Sequence, residues 1–343
     1  MRVTTEHKIT TMRKGIVSAG NWLLDTVKFI RTYPAAGNLV TIEKIESGFG
    51  GCSHNVLADL AHLKSDVPLY AGGCVGCDST GDSIMTAIEQ LGIDGEGMCR
   101  VEAATSYTDV MADMSNGTRT FFHHRGANAL LGEEHIDKIT APAKIFHLGY
   151  LLLLDRMDAP DSEYGIVAAR VLDKLQKRGY LTSVDVVSEE GNRFREVILP
   201  CLKYMDYFIL NEVEAGACFG EELRNDKGEI LLDKVEAAAR FLIESGVKRT
   251  VVILFPEGGF AIDSAGESHY EPSFRIPASE IISSVGAGDA FCATMLYALH
   301  EDIAMPQALR MANAAAWFNL HNATSTDGAP TLIQIKEFLE QHK

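Results

Sequence analysis

Near the C-terminal end of the chain, Gly286-Ala287-Gly288-Asp289 runs directly into an apolar stretch of helical periodicity that extends to His300. Two glycines ahead of a helix leave consecutive backbone N–H groups open to an anion, with no Cβ in the way. An aspartate in the first turn beyond them is placed to accept a proton from a hydroxyl held beside that anion. Anion stabilisation next to a general base is what transfer of a phosphoryl group to an alcohol requires. A plainer reading has Asp289 only capping the helix. The motif alone weighs the two equally.

A second glycine-led helix opens at Gly48-Phe49-Gly50-Gly51-Cys52-Ser53-His54-Asn55, with Asn55 in its first turns. A dinucleotide-binding loop would need a third glycine at position 53 and a buried strand ahead of it. Ser53 and the polar residues before Gly48 exclude that loop. His54 falls where it could line a substrate site. Asn21 and Asp25, which follow Gly20, are ordinary turn residues when taken singly. Taken with Asn55 they offer the donors and acceptors that a polyol needs. Cys74-Val75-Gly76-Cys77 has metal spacing but no second pair, which favours a structural role. His123 and His124 lack a third ligand in register and fit the two faces of one strand.

The elements that must position these residues alternate along the chain. Buried strands are expected at 15–20, 69–74, 144–148, 181–187, 207–210 and 250–255, from their apolar and β-branched runs. Amphipathic helices are expected at 53–64, 80–91, 164–178, 233–245, 288–300, 306–320 and 332–342. This alternation predicts one α/β domain over 1–343, a mostly parallel sheet flanked by helices. Two segments, 27–47 and 106–125, break the rhythm with short alternating patterns and turn signals, Asn116-Gly117 among them. They read either as surface excursions or as a small antiparallel β lid over a substrate.

Composition narrows the partners. A formal charge of −16 opposes binding to nucleic acid or to an anionic membrane. No apolar run approaches the roughly 18 residues of a membrane span. The start of the chain shows no secretory signal, and seven scattered cysteines form no disulfide framework. A cytoplasmic location is the expectation.

The two glycine motifs, in this order, resemble the signatures of the ribokinase-like (PfkB) carbohydrate kinases, and the resemblance spans essentially the whole chain. Gly50-Gly51 with Asn55 looks like the N-terminal signature, and Gly286-Ala287-Gly288-Asp289 like the C-terminal one. Asn211-Glu212-Val213-Glu214 matches the N-x-x-E motif. Arg125-Gly126-Ala127-Asn128 resembles a segment that reaches the substrate, and Ala312-Asn313-Ala314-Ala315 the helix beside the nucleotide base. The resemblance implies ATP and Mg²⁺, with Asp289 as general base and Gly286, Ala287 and Gly288 directing N–H groups at the moving phosphoryl group. It implies a sugar-like substrate held by Asn21, Asp25, Gly50, Gly51, Asn55 and Arg125. It further implies that Gly258 and Asn313 border the nucleotide, and that Asn211 and Glu214 arrange Mg²⁺, Glu214 through water. Lid sheets in this family often pair, so a homodimer through the lid is expected.

Three positions depart from the pattern. Ser283-Ser284 stand where the family has Asp-Thr, which removes a carboxylate from the monovalent-cation site and makes that cation doubtful. Ile253 replaces a hydroxyl expected near the phosphates, and Val187 an asparagine two residues after Asp185. These departures keep a non-catalytic ligand-binding regulator open beside a sugar kinase. A nucleoside kinase also stays open, since the position of Phe49, Tyr107 and Phe122 decides whether a base slot exists.

Overall fold

The structure, a computed structural model, describes residues 13–188, 193–322 and 324–342. Most of the polar N-terminal stretch lies outside them. A nine-stranded sheet forms the centre. From one edge it runs Ser268–Pro272, Gly258–Asp263, Thr250–Phe255, Tyr207–Asn211, Leu181–Val186, Ile145–Leu151, Ile16–Gly20, Leu69–Gly76 and Asp94–Val101. Seven consecutive strands, from Thr250–Phe255 to Asp94–Val101, are parallel. The two at the other edge pair antiparallel.

Alternation along each strand feeds two apolar layers. Val251 and Ile253 pack on one face with Phe208 and Leu210, whereas Val252, Tyr207 and Ile209 pack on the other. The first face is covered by Val167–Lys177, Arg193–Ile198, Glu212–Phe219 and Leu232–Glu244. The second is covered by Cys52–His62, Ser79–Gln90, Ala287–His300, Met305–Asn319 and Leu332–Gln341. Helix Ala287–His300 is buried on nearly every side because it is wedged between neighbouring helices. Its near-continuous apolar sequence is what such a position selects.

A separate four-stranded sheet has the order Ile42–Gly50, Leu23–Ile30, Ser106–Asp113, Arg119–His124. Its outer pairs are antiparallel, while its central pair, Leu23–Ile30 with Ser106–Asp113, is parallel. Both central strands follow parallel strands of the main sheet, Ile16–Gly20 and Asp94–Val101, so they leave the same carboxyl end of the sheet in the same direction. The hairpin turn at Asn116-Gly117 closes with Asp113 N–H donating to the Thr118 carbonyl. His123 and His124 fall on opposite faces. His123 meets the Thr108 hydroxyl at 3.1 Å, and His124 stacks near Tyr107. No helix among the described residues is long and apolar enough to cross a membrane.

Candidate active site

In a parallel sheet, ligands collect outside the carboxyl ends of the strands. Asn21, Tyr150, Asp185 and Asn211 all lie at or just past such ends. The helix carrying Asp289 starts above them. Gly286 caps it with φ 82°, and a Cβ there would stand 2.1 Å from the Ser325 carbonyl oxygen. Only glycine tolerates both the left-handed conformation and that approach. Gly288 differs: a Cβ there would meet only Leu254, at 3.8 Å, so its missing side chain opens onto free space.

Asp289 is buried and receives two hydrogen bonds. Asn55 Nδ2 donates to Oδ2 at 2.8 Å, and the Tyr150 hydroxyl donates to Oδ1 at 3.1 Å. Burial pushes its carboxyl above the usual range, and the bonds from Asn55 and Tyr150 pull it back. It shares a cavity of about 190 Å³ with Tyr150, Asp185, Asn211, Glu214, Gly286, Gly288, Leu254 and Cys292. Burial also raises the Asp185 carboxyl, with Glu214 and Asp289 adding repulsion. Glu214 is raised by burial as well. Three carboxylates thus face one small space whose lining, among the described residues, has no lysine or arginine.

The Asn211–Glu214 pair is a capping box. Asn211 Oδ1 accepts from the N–H groups of Val213 and Glu214, and Glu214 Oε2 accepts from Asn211 N–H at 3.0 Å. Glu214 Oε1 is left to the Ser188 hydroxyl at 2.9 Å, which also accepts from Asn211 Nδ2 at 3.1 Å. Ser188 thus ties this pair to the strand end where Val187 offers no polar atom.

Asn55 links Asp289 to a second cavity of about 440 Å³, whose lining includes Asp25, Phe49, His54, Arg119, Phe121 and Ser325. Its Oδ1 accepts from the Ser325 hydroxyl at 3.2 Å and lies 3.1 Å from His54 Nδ1. A Cβ on Gly50 would lie 2.1 Å from Asp25 Oδ2, and one on Gly51 would lie 2.5 Å from the Asn21 carbonyl oxygen. These glycines let the helix start press against the strand end. Burial lifts the Asp25 carboxyl to about 6, partly countered by a hydrogen bond from Thr108. Asn21 is buried, with Oδ1 accepting from Tyr150 N–H and Nδ2 without a hydrogen-bond partner among the described residues.

Other residues expected at the site lie outside the lining of these two cavities. Arg125 donates to Asp155 at 2.6 Å and to the Leu152 carbonyl, outside the lining of both cavities. Asn128, from the same segment, clamps the Trp22 backbone on both its N–H and C=O. Asn313 donates to the carbonyls of Glu271 and Pro272, fastening its helix to the edge strand. Gly258 also sits against that strand, where a Cβ would be 2.5 Å from the Glu271 oxygen. Neither lines the cavity around Asp289. Ile253 faces the core, whereas Leu254, on the opposite face of the strand, meets the cavity. The sequence reading missed Tyr150 and Ser325. Both stand in apolar or turn-rich runs that carry no local signal.

A family model described as pfkB family carbohydrate kinase matches residues 16–332. The chain is 24% identical over 326 residues to a deoxyribokinase of Salmonella typhi, covering 94% of this chain and 98% of that one. It is 24% identical over 331 residues to a ribokinase of Haemophilus influenzae, covering 96% and 99%. The structure of Arabidopsis thaliana ribokinase complexed with ribose and ATP superimposes with a TM-score of 0.76, at 22% identity, over 96% of this chain and 99% of the other. Matched over nearly its whole length and folded as those kinases are, the chain belongs to the pfkB family of carbohydrate kinases, which are phosphotransferases.

Proposed function

We propose that this protein transfers the terminal phosphoryl group of ATP to a hydroxyl of a sugar-like small molecule, with Asp289 as the base. The observation that carries the reading is the Asp289 carboxylate in the smaller cavity, oriented by Tyr150 and by Asn55, whose Oδ1 contacts Ser325 and His54 of the larger cavity, at a glycine-opened helix start. A substrate hydroxyl placed beside Asn55 would give its proton to Asp289 as the oxygen attacks. A carboxyl lifted by burial is the better base for that transfer near neutral pH. The N–H groups at Gly286, Ala287 and Gly288 would receive the charge that develops on the phosphoryl oxygens.

The smaller cavity fits a hydrated divalent cation, since its lining combines the oxygen donors of Asp185, Asn211 and Glu214 with no competing cationic side chain. Glu214 would hold Mg²⁺ through water, and the bound ion supplies charge neutralisation on the phosphates. Asn21 Nδ2, buried without a partner, and Asp25 are suited to substrate hydroxyls. Phe49 and Phe121 on the wall of the larger cavity favour a second reading, a nucleoside whose base lies against them.

ATP consumption across a panel of sugars, sugar acids and nucleosides separates these readings. A sugar is expected to support turnover. Asp289→Asn is expected to lower that turnover by at least ~10²-fold while substrate binding persists. Turnover near normal in Asp289→Asn would remove the base assignment.

A further inference from the structure

Beside the catalytic cavity Asp185 meets two buried groups, Cys52 and His147, for which phosphoryl transfer has no use. The Cys52 thiol, at the first residue of helix Cys52–His62, is 3.3 Å from His147 Nε2 and 3.2 Å from Asp185 Oδ2. The three ligand atoms all lie within 4.8 Å of one another. Cys52 and His147 are fully buried, and the three residues come from a helix start and two adjacent central strands. Gly149 makes the room, since a Cβ there would lie 2.5 Å from the Cys52 sulfur.

The outer atoms of the cluster are already held. Asp185 Oδ1 accepts from the Val186 N–H at 2.7 Å, which turns Oδ2 toward the sulfur. His147 Nδ1 is 3.1 Å from the Ser183 hydroxyl. This second layer is the arrangement that orients metal ligands. When Nδ1–H donates to Ser183 and the Asp185 carboxyl is ionised, the inward-facing Nε2, Sγ and Oδ2 have a single thiol proton among them. Around a tetrahedral zinc ion, with bonds of roughly 2.0–2.3 Å, ligand atoms lie about 3.3–3.7 Å apart. The sulfur stands 3.3 and 3.2 Å from the other two atoms, at and just below the short end of that range, so the three groups need move apart only slightly to admit the ion. Asp185 also lines the neighbouring cavity, which supplies an entry path and a fourth position.

We propose that Cys52, His147 and Asp185 form a binding site for a thiophilic divalent cation, Zn²⁺ fitting best. One sulfur, one imidazole and one carboxylate suit a borderline-soft ion and not Mg²⁺. On binding, the Cys52 S–H bond breaks, its proton leaves to solvent, and a sulfur–metal bond takes its place. The occupied site draws Asp185 away from the space it shares with Glu214 and Asp289. That consequence for turnover rests on the proposed kinase reading, whereas the binding itself does not.

The test uses the full chain, freed of metal by a chelator. Co²⁺ serves as an optical probe, and Zn²⁺ affinity is read by competition with a chromophoric chelator. One Co²⁺ per chain with a thiolate-to-cobalt charge-transfer band, displaced by Zn²⁺, is expected. Cys52→Ala should abolish the band, and Cys52→Ala and His147→Asn should each weaken Zn²⁺ by at least about tenfold. Cys74→Ser and Asp289→Asn should leave both signals in place. Melting curves identify any variant that fails to fold, and either Cys52→Ala or His147→Asn alone suffices for the decision. No band in the unmodified protein, or a band that survives in a folded Cys52→Ala variant, overturns the proposal.

Discussion

Asp25, proposed above to meet the substrate, opposes the fold that holds it. Burial lifts its carboxyl from 3.8 to about 6, so the folded protein binds the proton more tightly than the unfolded chain does. Stability therefore falls as pH rises from about 4 to about 6, and the cost is fully present at pH 7. Asp25→Asn removes that cost. The variant is expected to be more stable than the parent by about 1–3 kcal/mol at pH 7, a gain that disappears near pH 4. The same change should raise KM for the substrate. Denaturant titrations at the two pH values check the sign, and a loss of stability at pH 7 would contradict it. Such gains at the expense of activity are common where a site is built against the fold.

At the scale of elements, the two glycines around Ala287 do different work, and the difference can be measured. Gly286→Ala forces a Cβ onto the Ser325 carbonyl at a left-handed φ. It should cost at least about 1–2 kcal/mol in a denaturant titration. Gly288→Ala adds a methyl group that meets only Leu254, in a helix where alanine is preferred to glycine by about 0.5–1 kcal/mol. Its stability should hold or rise, while turnover falls about tenfold or more because the methyl group displaces the phosphoryl group. Unchanged kinetics in Gly288→Ala would mean that the open space there receives nothing. Close by, the Ser283 hydroxyl accepts from Val285 N–H at 3.2 Å, where the family places a carboxylate. Without that charge a cation is weakly attracted. Turnover should be nearly the same in K⁺ and in a bulky organic cation at equal ionic strength. Strong K⁺ activation would refute this.

For the whole molecule the question is what covers the small four-stranded sheet. Its outer strands, Ile42–Gly50 and Arg119–His124, are free edges that carry exposed Ile45 and Phe122, 59% and 54% accessible. Exposed edges bearing apolar residues invite pairing. We propose a homodimer joined through the two lids. Light scattering at micromolar concentration should give twice the chain mass, and Ile45→Asp combined with Phe122→Asp should give the mass of one chain. A monomeric parent protein would rule the arrangement out. The formal charge of −16 adds repulsion between copies, so dimerisation should strengthen with salt.

What the sequence by itself determined is local. The glycine-led helix starts, Asp289 in a first turn, the Asn-Gly hairpin and the six central strands depend on neighbours a few residues apart, and backbone sterics and burial periodicity encode them directly. The Asn211–Glu214 pair was legible as a motif, although its short helix was not, since eight residues with little amphipathic contrast carry no periodic signal. The edge strands Asp94–Val101 and Ser268–Pro272 escaped because half-exposed, polar strands look like loops, whereas the buried Gly258–Asp263 escaped because its two leading glycines after Pro256 read as a turn. The tertiary structure alone decided which distant groups meet. Tyr150 reaches Asp289 across 139 positions, and Ser325 reaches Asn55 across 270. It turned Arg125 to Asp155, put Leu254 and not Ile253 in the cavity, and brought Cys52, His147 and Asp185 together. Those outcomes follow from strand order, register and the side on which each crossover packs, and no run of adjacent residues specifies them.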